Sequence, residues 1–296
     1  MAMIIDGKQI ASEIREEIKS EAAALKERYG AVPGLAVVLV GDDPASAVYV
    51  RNKGRACEEV GFASFQHTLP ADTPMRELVS LVDELNARSD VDGILVQLPL
   101  PGHMDESAII DRIDPGKDVD AFHPANVGKI LIGDEKGFLP CTPQGCKVLI
   151  NRAVPDLKGR HLVVVGRSNI VGKPMAAMML QKKKDADCVV TVCHTAAPDI
   201  SYYTRQADIL VVAAGRPNTI TGPMVKEGVV VIDVGMNRIA HPDDPSKTKL
   251  VGDVKFDEVE KLASAITPVP GGVGPMTIAM LLSNTLKAFR MHREGS

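Results

Sequence analysis

The chain has no tryptophan, and phenylalanine and tyrosine together make up only 3% of it. So few rings leave little surface on which unpaired bases could stack, which disfavours a single-stranded nucleic-acid binder. Positive charge is not in excess either: 34 lysines and arginines face 38 aspartates and glutamates, a net charge of -4. That balance creates no broad positive field and argues against polyanionic partners and anionic membrane surfaces. The five cysteines, Cys57, Cys141, Cys146, Cys188 and Cys193, are odd in number and form no CxxC pair, so neither a disulfide framework nor a zinc site is indicated. A reducing, cytoplasmic compartment fits that usage. Long apolar runs are missing as well. Stretches such as Leu35–Val40 and Val163–Val165 are strand-sized and too short to span a bilayer. The opening MAMIIDGKQIASEIREEIKS soon turns acidic and amphipathic, unlike a signal or transit peptide.

What the chain does have is enough apolar material, 45% over 296 residues, for two ordinary cores. Short β-branched runs alternate with segments of helical period, the pattern of parallel strands crossed over by helices, so the expected class is α/β. The first half reads as a helix over about 7–28, a strand over 35–41, and a helix from Pro44 to Gly61. A strand over 62–69, a helix over about 73–88 and a strand over 93–98 follow. Residues 114–145, rich in Gly, Pro and Asp, read as an irregular connector holding the domain boundary. A second series then begins, with strands at 161–166, 188–194, 208–215 and 229–235. A last helix, roughly 275–292, is expected to pack back on the first domain. The division predicted is a substrate domain over 1–140, completed by about 275–296, and a dinucleotide domain over 141–274.

In GRHLVVVGRSNIVGKPM (Gly159–Met175) a buried strand runs into a tight glycine turn and a helix start, the context of a phosphate-binding loop. Gly166 allows the turn, Ser168 offers a donor, and Gly172 lets the helix N-terminus come close. The spacing is GxSxxxG, not GxGxxG, and the alternative is that these glycines only punctuate a βα turn. The second strand ends CHTAAP, with no carboxylate to meet a ribose hydroxyl, while Arg167 lies in the loop; this favours NADP over NAD, against the plain reading of Arg167 as a solvated surface residue.

In the first half, Tyr49 and Lys53 are four apart and share one face of a helix. They can bracket a substrate, with a partly desolvated lysine as base, or they can be an ordinary exposed pair. Gln97 is the polar residue of the apolar strand DGILVQLPLP and ends it where open α/β sheets place ligand groups. It is expected to hold Lys53 or a substrate ring, or else to close the strand in solvent. Asp118 and Asp120, in KDVDAFHP, can read a donor-rich heterocycle or serve local turns. The run ITPVPGGVGPMT suits close approach to a flat ligand and equally a helix-initiating turn. His67, His103 and His123 are too scattered to suggest a metal site.

Taken in order, YVRNK (Tyr49–Lys53), DGILVQLPLP, DPGKDVDAFHPANVG, PCTPQG, GRSNIVGKP, VVIDVGMNR and TPVPGGVGPMT resemble the bifunctional methylenetetrahydrofolate dehydrogenase/methenyltetrahydrofolate cyclohydrolase family over nearly the whole chain. The resemblance implies NADP-dependent oxidation of 5,10-methylenetetrahydrofolate, hydrolysis of the methenyl product to 10-formyltetrahydrofolate, and a homodimer. It implies Lys53 as general base or proton shuttle, Gln97 as the group orienting it, Tyr49 packed on the folate, and Asp120 accepting from the pterin. It also implies folate contacts from Val50, Arg51 and Asn52 within YVRNK, from Val96 and Leu98, and from Pro270, Gly271, Gly272, Val273 and Gly274. Gly166, Arg167, Ser168, Thr195 and Met236 are implied to touch NADP. Two polar stretches, Gln181–Cys188 and Ile239–Leu250, look longer than the family pattern and read as surface loops. Two other readings stay open: an NADP enzyme of shikimate-dehydrogenase type, against which QLPLP and PGGVGP argue, and a non-catalytic dinucleotide sensor. A monofunctional enzyme of the same family is a further variant.

Overall fold

The computed structural model describes residues 2–241 and 244–294. Along the chain run β1 (Met3–Ile4), α1 (Gly7–Tyr29), β2 (Gly34–Val40), α2 (Pro44–Val60), β3 (Ala63–Leu69), α3 (Met75–Ala87), β4 (Gly93–Val96), α4 (Glu106–Arg112), α5 (Pro124–Ile132) and α6 (Cys141–Ala153). The second half continues with β5 (His161–Val165), α7 (Gly172–Met179), β6 (Val189–Cys193), α8 (Ile200–Thr204), β7 (Ile209–Val212), β8 (Val230–Asp233), β9 (Asn237–His241), β10 (Asp244–Val251), α9 (Phe256–Val259), β11 (Ala265–Ile266) and α10 (Val273–Glu294). Two compact units result, one of Ser12–Cys141 with Ile278–Ser296, the other of Met1–Ala11 with Thr142–Thr277. Residues 1–11 belong to the second unit because β1 pairs in parallel with β11 in that unit's sheet.

The first unit is built on a three-stranded parallel sheet ordered β3-β2-β4. Every residue of β2 is buried, as expected of a central parallel strand covered on both faces. Helix α2 starts on Asp43, whose carboxylate accepts the amide of Ser46, with Pro44 at its first position; it stops at Gly61 in the left-handed conformation. Both ends of the helix carrying Tyr49 and Lys53 are therefore fixed by local chemistry.

The second unit carries a six-stranded sheet ordered β1-β11-β8-β7-β5-β6, all of its pairings parallel. The chain leaves β5 for β6 on one side and returns to β7 on the other, so the strand order reverses at β5. In such doubly wound sheets the crevice beyond the strand ends at that reversal is where ligands bind.

Three sequence expectations are corrected. The connector over 114–145 contains helix α5, capped by His123 with Pro124 at its first position and closed by left-handed Gly133; the Pro and Gly that looked like turn residues are its punctuation. Helix α6 already begins at Cys141, ahead of the second βα series. The stretch read as a loop over 239–250 belongs to the antiparallel pair β9 and β10, apart from residues 242–243, which lie outside the described residues. Among the described residues no helix is long and apolar enough to cross a membrane.

Candidate active site

Helix α2 turns Lys53 inward, where the side chain is buried at 7% exposure. Its Nζ donates to Gln97 Oε1 at 2.9 Å. Gln97 follows β4 directly, and its Nε2 donates to the carbonyl of Leu98 at 2.8 Å, which fixes the amide so that its oxygen faces the lysine. Asp120 is the acidic neighbour of this amine. Burial lowers the proton affinity of Lys53, and the charge of Asp120 pulls it back up. For Asp120 the balance is the mirror image: burial raises the carboxyl, while Lys53 and a hydrogen bond with Cys141 lower it. A lysine in this setting gives up its proton more readily than an ordinary lysine and can recover it from the same network.

Cys141, the first residue of α6, is the member of this network that the sequence did not single out. Its thiol is fully buried, donates to the Val119 carbonyl at 3.4 Å, and is raised well above the usual thiol range by burial and by Asp120. It therefore stays a neutral donor. Its place in PCTPQG was the available signal, but a buried cysteine reads as a small core residue. Asn284 on α10 completes the support: its buried amide donates to the carbonyls of Val119 and Leu139, both at 2.8 Å. Ala121, next to Asp120, takes a φ of 60° in the left-handed region. The turn that presents Asp120 is thus held from both sides.

Asp118 and Asp120, of which the family resemblance singled out Asp120, have different surroundings. Asp118 accepts the amides of Phe122 and His123 and the side chain of Asn126, which ties the connector to the start of α5. Asp120 faces Lys53 and Cys141. Both line a small depression whose apolar members include Ile94, Val96, Leu98, Ile110 and Phe122. Tyr49 is half-buried one helical turn before Lys53, Val50 is buried, and Arg51 and Asn52 are exposed on the same helix.

In the second unit, β5 is followed by Gly166, whose φ is 127°; a Cβ there would collide with the carbonyl of Ala213, the residue after β7. A Cβ on Gly172 would likewise strike the backbone of Gly166 and Arg167, so α7 starts directly against the loop. Ser168 Oγ accepts the amide of Val171 at 3.1 Å, while Arg167, Ser168 and Thr195 are exposed and Met236 is 44% exposed. The loop lies at the point where the strand order reverses and opens an eight-residue helix, a geometry that admits the backbone of a dinucleotide pyrophosphate. These residues fit a nicotinamide dinucleotide. Pro270–Gly274 lie in this unit ahead of and at the start of α10, where the Gly271 carbonyl accepts the amide of Lys8 at 2.9 Å. Among the described residues no cluster of His, Cys, Asp and Glu is arranged to hold a metal ion.

The tetrahydrofolate dehydrogenase/cyclohydrolase catalytic-domain model matches residues 5–120, and the model of the corresponding NAD(P)-binding domain matches residues 140–293. The bifunctional protein FolD of Moorella thermoacetica is 58% identical over 289 residues, covering 98% of this chain and 99% of the relative. The protein of the same name from Prosthecochloris aestuarii is 56% identical over 288 residues, with 97% and 98% covered. The crystal structure of the bifunctional FolD methylenetetrahydrofolate dehydrogenase/cyclohydrolase from Campylobacter jejuni superposes with a TM-score of 0.92 at 50% identity, covering 98% of this chain and 99% of that one. The Trypanosoma brucei methylenetetrahydrofolate dehydrogenase-cyclohydrolase, solved with NADP cofactor and an inhibitor, gives a TM-score of 0.92 at 41% identity, with 98% and 97% covered.

Proposed function

Because the chain belongs to the tetrahydrofolate dehydrogenase/cyclohydrolase family, we infer that it catalyses two consecutive one-carbon reactions. It oxidises 5,10-methylenetetrahydrofolate to 5,10-methenyltetrahydrofolate with NADP, then hydrolyses the methenyl cation to 10-formyltetrahydrofolate. The observation that carries the second step is the buried amine of Lys53, oriented by Gln97 at 2.9 Å with Asp120 beside it.

Oxidation removes a hydride from the methylene bridge and leaves a cation shared by two nitrogens, so no side chain has to take a proton. NADP, when bound, supplies the hydride acceptor; the loop Gly166–Ser168 with Thr195 and Met236 would hold it, and Arg167 would face its 2′-phosphate. What the protein contributes to that step is the positioning of both ligands. Hydrolysis differs, because water must lose a proton as it adds to the bridging carbon. The neutral amine of Lys53 takes that proton, and its ammonium form returns one to the folate nitrogen as the carbon–nitrogen bond breaks. Of the two protons of water, one ends on that nitrogen and the other in solvent.

Gln97 keeps the lysine aimed, Asp120 stabilises its ammonium form and accepts from the pterin, and Tyr49 packs against the folate. Val50, Arg51, Asn52, Val96 and Leu98 complete the folate contacts, together with Pro270, Gly271, Gly272, Val273 and Gly274. The buried, paired Lys53 favours an enzyme over a dinucleotide sensor, which would have no use for it. Five free cysteines support a cytoplasmic setting, and the exposed Val189 and Val192 on edge strand β6 support assembly as a homodimer. The test is a spectrophotometric assay with methylenetetrahydrofolate and either NADP or NAD, following reduced cofactor and the methenyl intermediate separately. Reduced NADP and a transient methenyl species are expected; a methenyl product that accumulates without hydrolysis would leave only the dehydrogenase.

A further inference from the structure

Two carboxylates are buried together in the second unit and take no part in the Lys53 network. Asp253 has no exposed surface, and Asp233, at the end of β8, has 4%. One oxygen of Asp253 accepts the backbone amides of Ala214 and Gly215, at 2.6 and 2.8 Å, and the other accepts the side-chain amide of Asn237 at 2.8 Å. Asp233 braces it from behind. Its Oδ1 accepts the amides of Gly235 and of Asp253 itself, both at 2.9 Å, and its Oδ2 accepts that of Val254 at 3.0 Å. Gly235 and Gly252 leave the space this requires, since a Cβ on either would collide with the opposite aspartate.

These bonds meet at the crevice where the strand order reverses. Ala214 and Gly215 form the turn after β7, and the carbonyl of Ala213 just before them is the atom against which Gly166 is packed. Asn237 follows Met236. A single carboxylate therefore ties the turn beside the glycine loop to the segment after β8. A carboxylate suits this task because both of its oxygens only accept, whereas an amide of the same shape must present a donor on one side.

We propose that Asp253 is a positioning residue for the dinucleotide, setting the wall of the cofactor crevice formed by Ala214 and Gly215 against the glycine loop. This rests on reading that crevice as the NADP site. It assigns Asp253 no contact with the cofactor and no part in methenyl hydrolysis.

The full-length enzyme tests it by titration with NADPH, followed through the cofactor's own fluorescence, and by assay of methenyl hydrolysis without dinucleotide. Asp253→Asn turns one donor-accepting oxygen into a donor, so NADPH affinity is expected to fall by about tenfold or more. Hydrolysis in the same variant stays within about twofold of the parent, a split that general loss of structure does not produce. Combining Asp253→Asn with Asn237→Asp gives the new amide an acceptor, so the turn regains its oxygen and affinity largely recovers. Unchanged NADPH affinity in Asp253→Asn overturns the proposal, and so does parallel loss of binding and hydrolysis that the double variant does not repair. Gly166→Ala serves as the reference for the crevice itself. If it binds NADPH normally, the reading of the loop fails; if it binds poorly while Asp253→Asn binds well, the positioning role alone fails.

Discussion

A lysine that takes a proton from water and returns one to a leaving nitrogen has to change charge easily near neutral pH. Burial moves Lys53 in that direction, and Asp120 limits the movement. In the proposed mechanism the active base is the neutral amine, so methenyl hydrolysis is expected to rise with pH and to level off below the ordinary lysine range of about 10.4. Asp120→Asn removes the charge that favours the ammonium form, so the rising limb shifts to lower pH, whatever the loss in pterin affinity. A limb that stays in place or moves upward in the pH–rate profile contradicts the assigned coupling. At this scale the sequence was partly legible: helical spacing put Tyr49 and Lys53 on one face, and the position of Gln97 at a strand end raised its bond to Lys53 as one option. Residue types alone did not tell Asp118 from Asp120, and only the family resemblance chose Asp120; amides from α5 and its approach claim the carboxylate of Asp118. Nor could it show Cys141 or Asp253, whose surroundings are assembled by tertiary contacts between distant segments.

Among the elements, α3 shows how the first unit holds its sheet and connector together. Lys117, in the connector, is buried, and its Nζ donates to the carbonyls of Leu85, Asn86 and Arg88 at 3.3, 2.8 and 2.7 Å. A cation thus adds to the closure of the helix's C-terminal end, where the Arg88 amide already reaches the carbonyls of Glu84 and Leu85, and it is favoured by the negative end of the dipole. Lys117→Met keeps most of the side-chain bulk and removes the donors, at an expected cost of about 2–4 kcal/mol. The midpoint of urea unfolding measures it, and an unchanged midpoint would mean that water replaces the ammonium without penalty. The parallel strands β2, β5 and β7 were legible because strands covered on both faces read as unbroken aliphatic runs. Helix α5 was hidden because its Pro start and Gly stop look like a turn at either end. The two-residue strands β1 and β11 carry no period at all.

At the scale of the molecule, the two units hold separable tasks. The unit of Ser12–Cys141 and Ile278–Ser296 carries Lys53, Gln97 and Asp120, to which the proton handling is assigned, and the unit of Met1–Ala11 and Thr142–Thr277 carries the glycine loop and Asp253. Alternating strands and helices made two α/β domains legible from the sequence, and the family motifs span both. The assignment of residues 1–11 was not legible, because a two-residue strand joins the second unit's sheet only through its pairing with β11. The two reactions place different demands on these units, since hydrolysis needs no dinucleotide and oxidation needs no general base. A change confined to the amine of Lys53 should therefore divide them. The most direct measurement is methenyl hydrolysis by Lys53→Met beside its NADPH affinity. Hydrolysis is expected to fall by about 10²–10⁴-fold with the affinity unchanged; hydrolysis near the parent rate would remove Lys53 from the reaction and contradict the account.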